Sequence, residues 1–463
     1  MTTDRQSSRL FAASVAGLLY FSEGLPFGIV NDLLPVYLRV HHVELTTIGF
    51  LSTVASAWTL KVFWSPLVDS FGTYRRWIAT AVLAMAICMA AMAVLGSRSE
   101  QSVSTRSNSG RPAPAGGSQS LSPPTPDPRR PTPAGRAQSS SPTPDTRTAT
   151  PAADPRPPTP DSRVFWTIIT IFAIASATQD LAVDAFTIRA TPPDLIGPVN
   201  SIRVAAYRAA LIVGGGGLVA LSGVIGWSGS FAAAAVIAGI VFVVALRLPD
   251  DRGSRNERKS VVELFRGLGH WLARPRAGVL LAIVLLYRLG ELAIYAMIKP
   301  YWVDRGYSAA EIGTITAVIG VIVSILGAIA GGAIVAHIGL YRAMLWLGAA
   351  QILSNLGYAI VATTHAGRWA IYAAAIVENI GYGLGTGAFL AFLMAICDRE
   401  RAATEYAMLT AAFGLTRVVI GTPSGWIAQN AGYPAYFWLT VALGIPGLLL
   451  VPFVREQIRG AVD

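Results

Sequence analysis

The fold of this chain is decided by one stretch of sequence, Ser176-Ala177-Thr178-Gln179-Asp180-Leu181-Ala182-Val183-Asp184-Ala185-Phe186. It ends an otherwise apolar run from about Val164 to Phe186, which is long enough to cross a bilayer as a helix. Asp180 and Asp184 are four residues apart, so they lie on one face of that helix. Because an ionised carboxylate facing lipid costs at least ~2.5–3.5 kcal/mol, both must face protein or water. The stretch therefore predicts a bundle of membrane helices in which other helices supply partners for the two charges. The pair of aspartates has either a structural or a functional role.

Composition places the whole chain in the membrane. Hydrophobic residues are 53% of the 463 residues and charged residues 13%, whereas a soluble domain has about 25% charged residues. The net charge of +10 comes from basic residues in loops beside apolar runs, which is typical of orientation signals and argues against nucleic-acid binding. Both cysteines lie in or beside apolar runs and no histidine lies in the middle of one, so we expect no disulfide, metal, cofactor or enzymatic activity.

Hydropathy predicts an all-α integral membrane protein with twelve transmembrane helices. The first span contains Glu23 and Asp32 and has no small-residue cleavage site, so we expect it to be retained as a helix. The spans are expected at about 11–38, 45–66, 77–96, 164–187, 197–221, 227–247, 277–303, 309–337, 342–362, 367–396, 403–428 and 433–454. This divides the chain into helices one to three (1–96), a loop (97–163), helices four to six (164–247), a linker (248–276) and helices seven to twelve (277–463).

The loop at 97–163 differs in composition from the rest of the chain. It contains 15 of the 28 prolines and is otherwise rich in Ser, Thr, Ala and Arg. Such a composition cannot bury an apolar core, which predicts disorder. Pro-Thr-Pro-Asp-x-Arg occurs three times in it, which is typical of a repeated spacer, although a partner-binding role is the alternative.

The distribution of Lys and Arg predicts the orientation in the membrane. With the N-terminus in the cytoplasm, the short loops on the cytoplasmic side carry eighteen Lys and Arg residues. The other side carries only Arg39, Arg305 and Arg368 when the Pro-rich loop is left out. The rule that positive loops stay inside predicts cytoplasmic N- and C-termini and an external Pro-rich loop.

The two parts of the chain repeat each other. Four short matches recur in order at offsets of 264 to 267 residues, each at the equivalent place in a set of six helices. They are Leu18-Leu19-Tyr20 with Leu285-Leu286-Tyr287, Pro35-Val36-Tyr37 with Pro300-Tyr301-Trp302, Ile48-Gly49 with Ile312-Gly313, and Gly72-Thr73-Tyr74-Arg75 with Gly339-Leu340-Tyr341-Arg342. Two six-helix pseudo-repeats are typical of transporters with a central site at the repeat interface.

Three segments carry a resemblance to a known family. They are Leu19-Tyr20-Phe21-Ser22-Glu23-Gly24-Leu25-Pro26-Phe27-Gly28, Trp58-Thr59-Leu60-Lys61-Val62-Phe63-Trp64-Ser65-Pro66-Leu67-Val68-Asp69, and Gln179-Asp180 with Asp184-Ala185. Together they resemble the AmpG-type branch of the major facilitator superfamily, which also includes acetyl-coenzyme A transporters and siderophore permeases. The second half is similar by hydropathy and repeat rather than by motif. The resemblance implies the major facilitator fold, with the first, fourth, seventh and tenth helices lining a central cavity.

Each of those four helices carries ionisable residues inside its apolar run. The pairs are Glu23 and Asp32, Asp180 and Asp184, Arg288 and Glu291, and Glu378 with its neighbour Asn379. Arg208 and Arg417 lie near mid-depth on the equivalent fifth and eleventh helices. Arginine keeps its charge and suits carboxylate or phosphate ligands, which favours an anionic solute.

These residues receive expected roles. Solute binding is expected for Arg208, Arg288, Arg417, Glu378 and Asn379, and proton coupling for Glu23, Glu291, Asp180 and Asp184. Six of them, Glu23, Arg208, Arg288, Glu291, Glu378 and Arg417, are expected to form one network at mid-membrane. The alternatives are that Arg288 and Glu291 only neutralise each other, three residues apart on one helix, and that Arg208 and Arg417 are each locked to a nearby acid.

A gate is expected at the cytoplasmic end. Lys61 is expected to pair with Asp180 or Asp184. Asp69-x-x-Gly72-x-Tyr74-Arg75-Arg76 resembles the gating motif of the superfamily, and Arg342 occupies the repeat position of Arg75. The glycine runs at 214–217 and 381–387 do not follow strands, so we interpret them as helix-packing positions and not as phosphate loops.

The leading hypothesis is a monomeric secondary active transporter in a bacterial inner membrane. It would take up a small anionic solute together with a proton by alternating access, and the family suggests anhydro-muropeptides, siderophores or acyl-coenzyme A. A non-transporting membrane sensor is an alternative from another class, and a membrane-embedded transferase is a weaker one. The expected partners are the solute, the proton and the lipid bilayer.

Overall fold

The computed structural model describes residues 2–109, 162–190, 196–249, 269, 271–397 and 402–460. The chain divides into two units, Met1–Ser97 with Pro160–Asp463, and Arg98–Thr159. The first unit contains the helical bundle described below. Most of the second lies outside the described residues.

The helices of the first half are numbered α1 to α6. Helix α1 consists of Thr2–Gly28, a π-helical turn at Ile29–Leu33, and Leu34–Val40. Helix α2 is made of five short segments, Leu45–Gly49, Leu51–Val54, Ser56–Leu60, Lys61–Phe63 and Ser65–Ser70. Helix α3 is Tyr74–Ser109, and α4 is Ser162–Ala190. Helix α5 runs through Ile196–Leu211, a π-helical turn at Ile212–Gly217 and the first part of Leu218–Ala245, and α6 is the remainder of Leu218–Ala245 beyond a kink at Gly226.

The helices of the second half are numbered α7 to α12. Helix α7 consists of Ala277–Leu286 and Leu289–Asp304. Helix α8 consists of Ala309–Ile312, a π-helical turn at Gly313–Ile319, and Gly320–Ile338. Helix α9 is Leu340–Thr364, and α10 is Arg368–Ala395. Helices α11 and α12 share Ala402–Leu450, which is kinked at Gly432, and Val451–Val454 and Arg455–Gly460 follow.

The number of membrane helices agrees with the prediction of twelve. Eight helical segments of the described residues are long and apolar enough to cross a membrane. Two of these are each a pair of helices joined at a glycine with positive φ, which makes ten spans. Helices α1 and α2, which are interrupted by non-α turns, complete the set. All regular structure among the described residues is helical.

Backbone geometry confirms the internal repeat. Gly72 and Gly339, the first residues of the repeated Gly-x-Tyr-Arg, have φ of 69° and 82°. His42 and Gly306, which end the equivalent turns after α1 and α7, have φ of 59° and 76°. Because few residues adopt positive φ, matching turns at matching places indicate two copies of one six-helix plan.

The halves meet near the end of the molecule that carries the α1–α2 and α7–α8 turns, which is the predicted external end. Arg39 of α1 donates to Asp304 of α7 at 2.5 Å, and Tyr433 of α12 donates to the same carboxylate at 2.6 Å. Thr53 of α2 lies 2.9 Å from Thr422 of α11. Helix α4, in contrast, packs mainly against α1 and α2 of its own half. That end of the molecule is therefore closed by contacts between the halves.

One predicted boundary is wrong. Helix α3 continues to Ser109, so the first residues of the segment expected to be disordered from 97 are helical. The apolar run ends near Gly96, but the first proline of the following segment is Pro112, and nothing in the intervening sequence breaks a helix. The rest of the Pro-rich loop, 110–161, and most of the 248–276 linker lie outside the described residues.

Glycines allow α8 and α10 to pack closely, which confirms the packing interpretation of the run at 381–387. A Cβ added at Gly383 would lie 2.3 Å from the carbonyl oxygen of Ser324, and one at Gly331 would lie 2.5 Å from that of Leu384. Both contacts are with backbone, which cannot move aside. By contrast, a Cβ at the neighbouring Gly332 would meet no atom within 4 Å.

Gly331→Val should therefore destabilise the bundle, by about 1–3 kcal/mol, because overpacking forces the two helices apart. The measurement is the thermal unfolding of the detergent-purified protein. Gly332→Val is the matched control, one residue away on the same helix, and should leave the midpoint unchanged. Equal midpoints for the two variants would contradict the close approach of α8 and α10.

Candidate functional site

A cavity of about 80 Å³ lies between the two halves. Its size is enough for several water molecules. It is lined by Phe27, Asp32, Arg208, Leu211, Glu291, Leu292, Tyr295, Thr316, Val321, Ser324, Glu378, Asn379, Tyr382 and Arg417. The lining thus includes four of the five predicted solute-binding residues and comes from helices of both halves.

Arg208 and Arg417 are the positive charges of this cavity that remain available. Among the described residues neither forms an ion pair, so the alternative that each is locked to an acid is not what the structure shows. The Arg417 guanidinium lies 5.3 Å from the ring centroid of Phe27 and donates to Asn31 at 3.5 Å. These contacts position the guanidinium, and neither of them is with an acidic group.

Arg288 is engaged elsewhere. Its guanidinium forms a two-point ion pair with Glu291, three residues along α7, and donates to Thr386 at 2.8 Å. Gln351 of α9 donates to the same Glu291 carboxylate. Arg288 is 4% exposed and is not among the cavity-lining residues. Arg288 and Glu291 thus form the ion pair that the alternative requires, and Arg288 does not line the cavity. Their roles in solute binding and proton coupling stay predictions.

Glu378 and Asn379 lie side by side on α10 at the cavity wall. The Asn379 amide donates to the Glu378 carboxylate at 3.0 Å and to the carbonyl of Ala375 at 2.8 Å. Glu378 is 4% exposed, and no cation of the described chain lies within 4 Å of it. The cavity thus combines two guanidinium groups that form no ion pair among the described residues with one carboxyl group whose partner is an amide.

A second charged cluster lies within the first half. Carboxylate oxygens of Glu23, Asp180 and Asp184 all lie within 4.8 Å of one another. Lys61 of α2 forms an ion pair with Asp180, which confirms the predicted contact, and Arg203 of α5 lies 3.1 Å from Asp184. Three acids and two bases leave one negative charge in excess. Since both aspartates already hold a cation, the site suits a proton better than a metal ion.

Glu23 is the member of this cluster without a basic partner. Its Oε2 atom is buried and accepts no hydrogen bond from the described residues. Tyr20, one turn earlier on α1, instead donates to Asp184 at 3.0 Å, and the Arg203 guanidinium stacks on the Tyr20 ring at 4.5 Å. Glu23 is therefore the acid of this cluster that no basic group among the described residues pairs with.

The predicted single network of six mid-membrane charges is wrong. Glu23 lies with Asp180 and Asp184, whereas Arg208, Glu291, Glu378 and Arg417 line the central cavity. Position along a span gives depth but not the direction in which a side chain points, so residues of similar depth can face different neighbours. Arg203 was missed altogether, although it is a charge inside the predicted fifth span.

Sequence reasoning also missed Lys299. It lies inside the predicted seventh span and forms an ion pair of 2.5 Å with Asp32 of α1. Tyr295, one turn earlier on α7, donates to the same carboxylate at 2.8 Å. The cost of a charge in an apolar run, the signal that identified Asp180, would have identified Lys299 as well.

The residues of the gating motif lie at the opposite end from the α1–α2 turn. Gly72 and Arg76 are exposed, and Arg75 donates to the carbonyl of Leu248 at 3.2 Å. Arg342 is exposed at the equivalent turn of the second half. The side chain of Asp69 lies outside what the structure describes, and the gating role of these residues stays a prediction.

Two six-helix repeats around a charged cavity at their interface define a membrane transporter. The family model described as "Major Facilitator Superfamily" matches residues 157–420, more than half of the chain, and the chain belongs to that superfamily. A second model, described as "Acetyl-coenzyme A transporter 1", matches residues 15–105.

Individual proteins agree with this assignment. The chain is 26% identical over 450 residues to the "Anhydromuropeptide permease" of Escherichia coli (strain K12), covering 96% of this chain and 79% of that protein. Among solved structures, a bacterial homolog of the human lysosomal transporter Spinster, described as inward-facing and unoccupied, superposes with a TM-score of 0.67 at 12% identity over 98% of each chain. The nucleoside transporter NupG superposes with a TM-score of 0.64 at 12% identity, over 96% of this chain and 100% of NupG. At these identities the solved structures support the fold only.

Lys61→Met should destabilise the protein more than the double change Lys61→Met with Asp180→Asn. The single change leaves Asp180 buried and without its cation, at a cost of about 2–4 kcal/mol, somewhat less than for a fully buried pair because Lys61 is 25% exposed. The measurement is a double-mutant cycle on thermal stability.

The matched control for this cycle is the exposed pair formed by Arg276 and Glu456, whose side chains are 46% and 81% exposed. Arg276→Met should leave stability unchanged. If the effects of Lys61→Met and Asp180→Asn add without coupling, the two residues do not depend on each other.

Proposed function

We propose that this protein is a secondary active transporter that takes up an anionic solute together with a proton by alternating access. The observation that carries the proposal is the separation of charge into two sites. The central cavity has two guanidinium groups, Arg208 and Arg417, without acidic partners. The cluster of Glu23, Asp180 and Asp184 has one carboxylate more than it has basic groups.

The central cavity is suited to an anion. Arg208 and Arg417 come from the equivalent helices α5 and α11, one from each half, so a solute bound by both spans the interface between the halves. Guanidinium groups bind carboxylate and phosphate oxygens in a two-point geometry. Glu378 and Asn379 offer further hydrogen bonds to hydroxyl or amide groups of the solute.

The cluster in the first half is suited to a proton. When the halves move, Glu23 gains or loses contact with water, while Asp180 and Asp184 keep their own basic partners. A proton on Glu23 would neutralise the excess charge, and its release would restore that charge. Coupling requires only that protonation and solute binding favour the same arrangement of the halves.

Among anionic solutes we propose an anhydro-muropeptide, supported by the similarity to the Escherichia coli permease of that description. We place the protein in a bacterial inner membrane with both termini in the cytoplasm, supported by the distribution of Lys and Arg. The match to the acetyl-coenzyme A transporter model keeps an acyl-coenzyme A as the second candidate. Uptake of the labelled muropeptide, a ferric siderophore and acetyl-coenzyme A side by side in proteoliposomes distinguishes these solutes. A sensor would transport none of them.

Glu23→Gln should abolish accumulation of solute driven by a pH gradient while exchange of solute across the membrane continues. The amide cannot release a proton, but the central cavity is unchanged. The measurement compares both fluxes in proteoliposomes, with Glu456→Gln, an exposed acid near the C-terminus, as control. Full accumulation by Glu23→Gln would move the proton site to Asp180 or Asp184.

Arg208→Ala and Arg417→Ala should each weaken solute binding by about tenfold or more, because each removes charge-assisted hydrogen bonds to the anion. Equilibrium binding of the labelled muropeptide to purified protein measures this loss separately from turnover. Arg276→Ala, which removes an exposed arginine far from the cavity, should bind as the wild type does. Wild-type affinity in both cavity variants would remove the arginines from the solute site.

A further inference from the structure

Helix α1 of the first half places a carboxylate in a basic site that belongs to the second half. Asp32 Oδ1 lies 2.5 Å from Lys299 Nζ and accepts a hydrogen bond of 2.8 Å from the Tyr295 hydroxyl. The side chains of Asp32 and Lys299 are 8% and 5% exposed. A desolvated carboxylate is thus held by an ammonium and a phenol that both come from α7.

The basic site extends beyond Lys299. Lys299 Nζ lies 4.2 Å from the ring centroid of Tyr295, and the Arg417 guanidinium lies 5.9 Å from the same centroid. Two cations of the second half therefore flank one tyrosine. Both cations contact adjacent residues of α1. Asn31 accepts a hydrogen bond from Arg417 at 3.5 Å, and Asp32 forms the ion pair with Lys299.

This site adjoins the solute cavity. Asp32, Tyr295 and Arg417 line the central cavity, and Tyr295, Lys299 and Arg417 also line a neighbouring cavity of about 40 Å³ towards the closed end of the molecule. A solute in the central cavity could therefore reach Lys299 if Asp32 were withdrawn.

The first half holds Asp32 in place by packing. A Cβ added at Gly215 of α5 would lie 2.2 Å from Asp32 Oδ2, so the carboxylate rests directly on the backbone of α5. Asp32 lies in the π-helical turn of α1 and Gly215 in that of α5. When the halves part, Asp32 is expected to move with α5 and away from Lys299.

We propose that Lys299, Tyr295 and Arg417 form a binding site for a carboxylate group of the solute, and that Asp32 occupies this site as an internal substitute in the conformation described here. The inference rests on the proposed function. Opening of the external end withdraws Asp32 and leaves Lys299 without its acid beside Arg417, which has none. An anion of the solute is then the natural partner of both cations. Closing returns Asp32, which displaces the carboxylate and releases the solute towards the cytoplasm.

The energetic reason is that the basic site cannot stay empty when it is buried. A buried ion pair that loses one partner strongly destabilises the protein, whereas exchange of one carboxylate for another does not. Return of Asp32 therefore favours release of the solute when the external end closes. Without Asp32, the carboxylate of the solute would remain bound to the two cations. A site of this kind requires an acidic group on the solute.

The test compares equilibrium binding of two probes to purified protein in lipid nanodiscs. The first probe is a labelled anhydro-muropeptide and the second is the same molecule with its carboxylates converted to amides. Asp32→Asn should bind the acidic probe about tenfold more tightly than the wild type, because the competing internal carboxylate is gone. Lys299→Met should bind the acidic probe about tenfold more weakly. The amidated probe should bind all three proteins equally.

Asp304→Asn is the matched control. Asp304 also joins the halves through a cation and a tyrosine hydroxyl, those of Arg39 and Tyr433, but outside the cavity. It should not change the ratio of affinities for the two probes. If Lys299→Met fails to fold because Asp32 is stranded, the double variant with Asp32→Asn removes both charges and should still bind the acidic probe more weakly than Asp32→Asn alone.

The outcomes separate this inference from the function on which it rests. Wild-type protein that binds neither probe overturns the proposed function and this inference with it. Wild-type protein that binds and transports the acidic probe, while Asp32→Asn and Lys299→Met keep the wild-type ratio of affinities, overturns the inference alone. A ratio that changes equally in Asp304→Asn also overturns it, because the effect would then come from the closure of the halves.

Discussion

The cost of an unpaired charge in a membrane determines how this structure is arranged. An ionisable group within the spans is stabilised by a partner of opposite charge, and the ion pairs of the described residues join particular helices. Lys61 and Asp180 join α2 to α4, Arg203 and Asp184 join α5 to α4, and Asp32 and Lys299 join the two halves. A pair within one half does not depend on the position of the other half, whereas a pair between the halves does. The ion pairs are therefore of two kinds: those that stabilise one half, and those that depend on how the two halves are placed.

Glu23 and Glu378 are exceptions to complete pairing. Each is a buried carboxyl group without a cation within 4 Å in the part of the chain that the structure describes, one in each half. Groups of this kind respond to changes in their surroundings because no fixed charge determines their state. Under the proposed function, the carboxyl group of the first half exchanges a proton with water and that of the second half contacts the solute.

Much of this organisation could be predicted from the sequence. Twelve spans follow from hydropathy, and the two-half plan follows from four short repeats that the turns at Gly72 and Gly339 support. The contact between Lys61 and Asp180 follows from the rule that charges in apolar runs need partners. The grouping of Glu23 with the cavity residues failed because the sequence gives depth but not rotation about the helix axis. The same rule identifies Lys299 and Arg203 as charges that need partners. Which partners they have depends on how α7 packs against α1 and how α5 packs against α4, and no local sequence pattern determines that packing.

The connections after α3 and α9 differ in a way that bears on how each half assembles. Helices α9 and α10 are joined by three residues, of which His365 adopts a left-handed conformation, whereas 52 residues separate Ser109 of α3 from Ser162 of α4. The entropic cost of bringing two helix ends together rises with the logarithm of the number of residues between them, so a connection of 52 residues costs about 2–3 kcal/mol more than one of three. Helices α9 and α10 can enter the membrane as a hairpin, while α3 and α4 must find each other through contacts with the rest of their half. The two halves share one architecture, but their third and fourth helices therefore differ in how early they can pack against each other during folding.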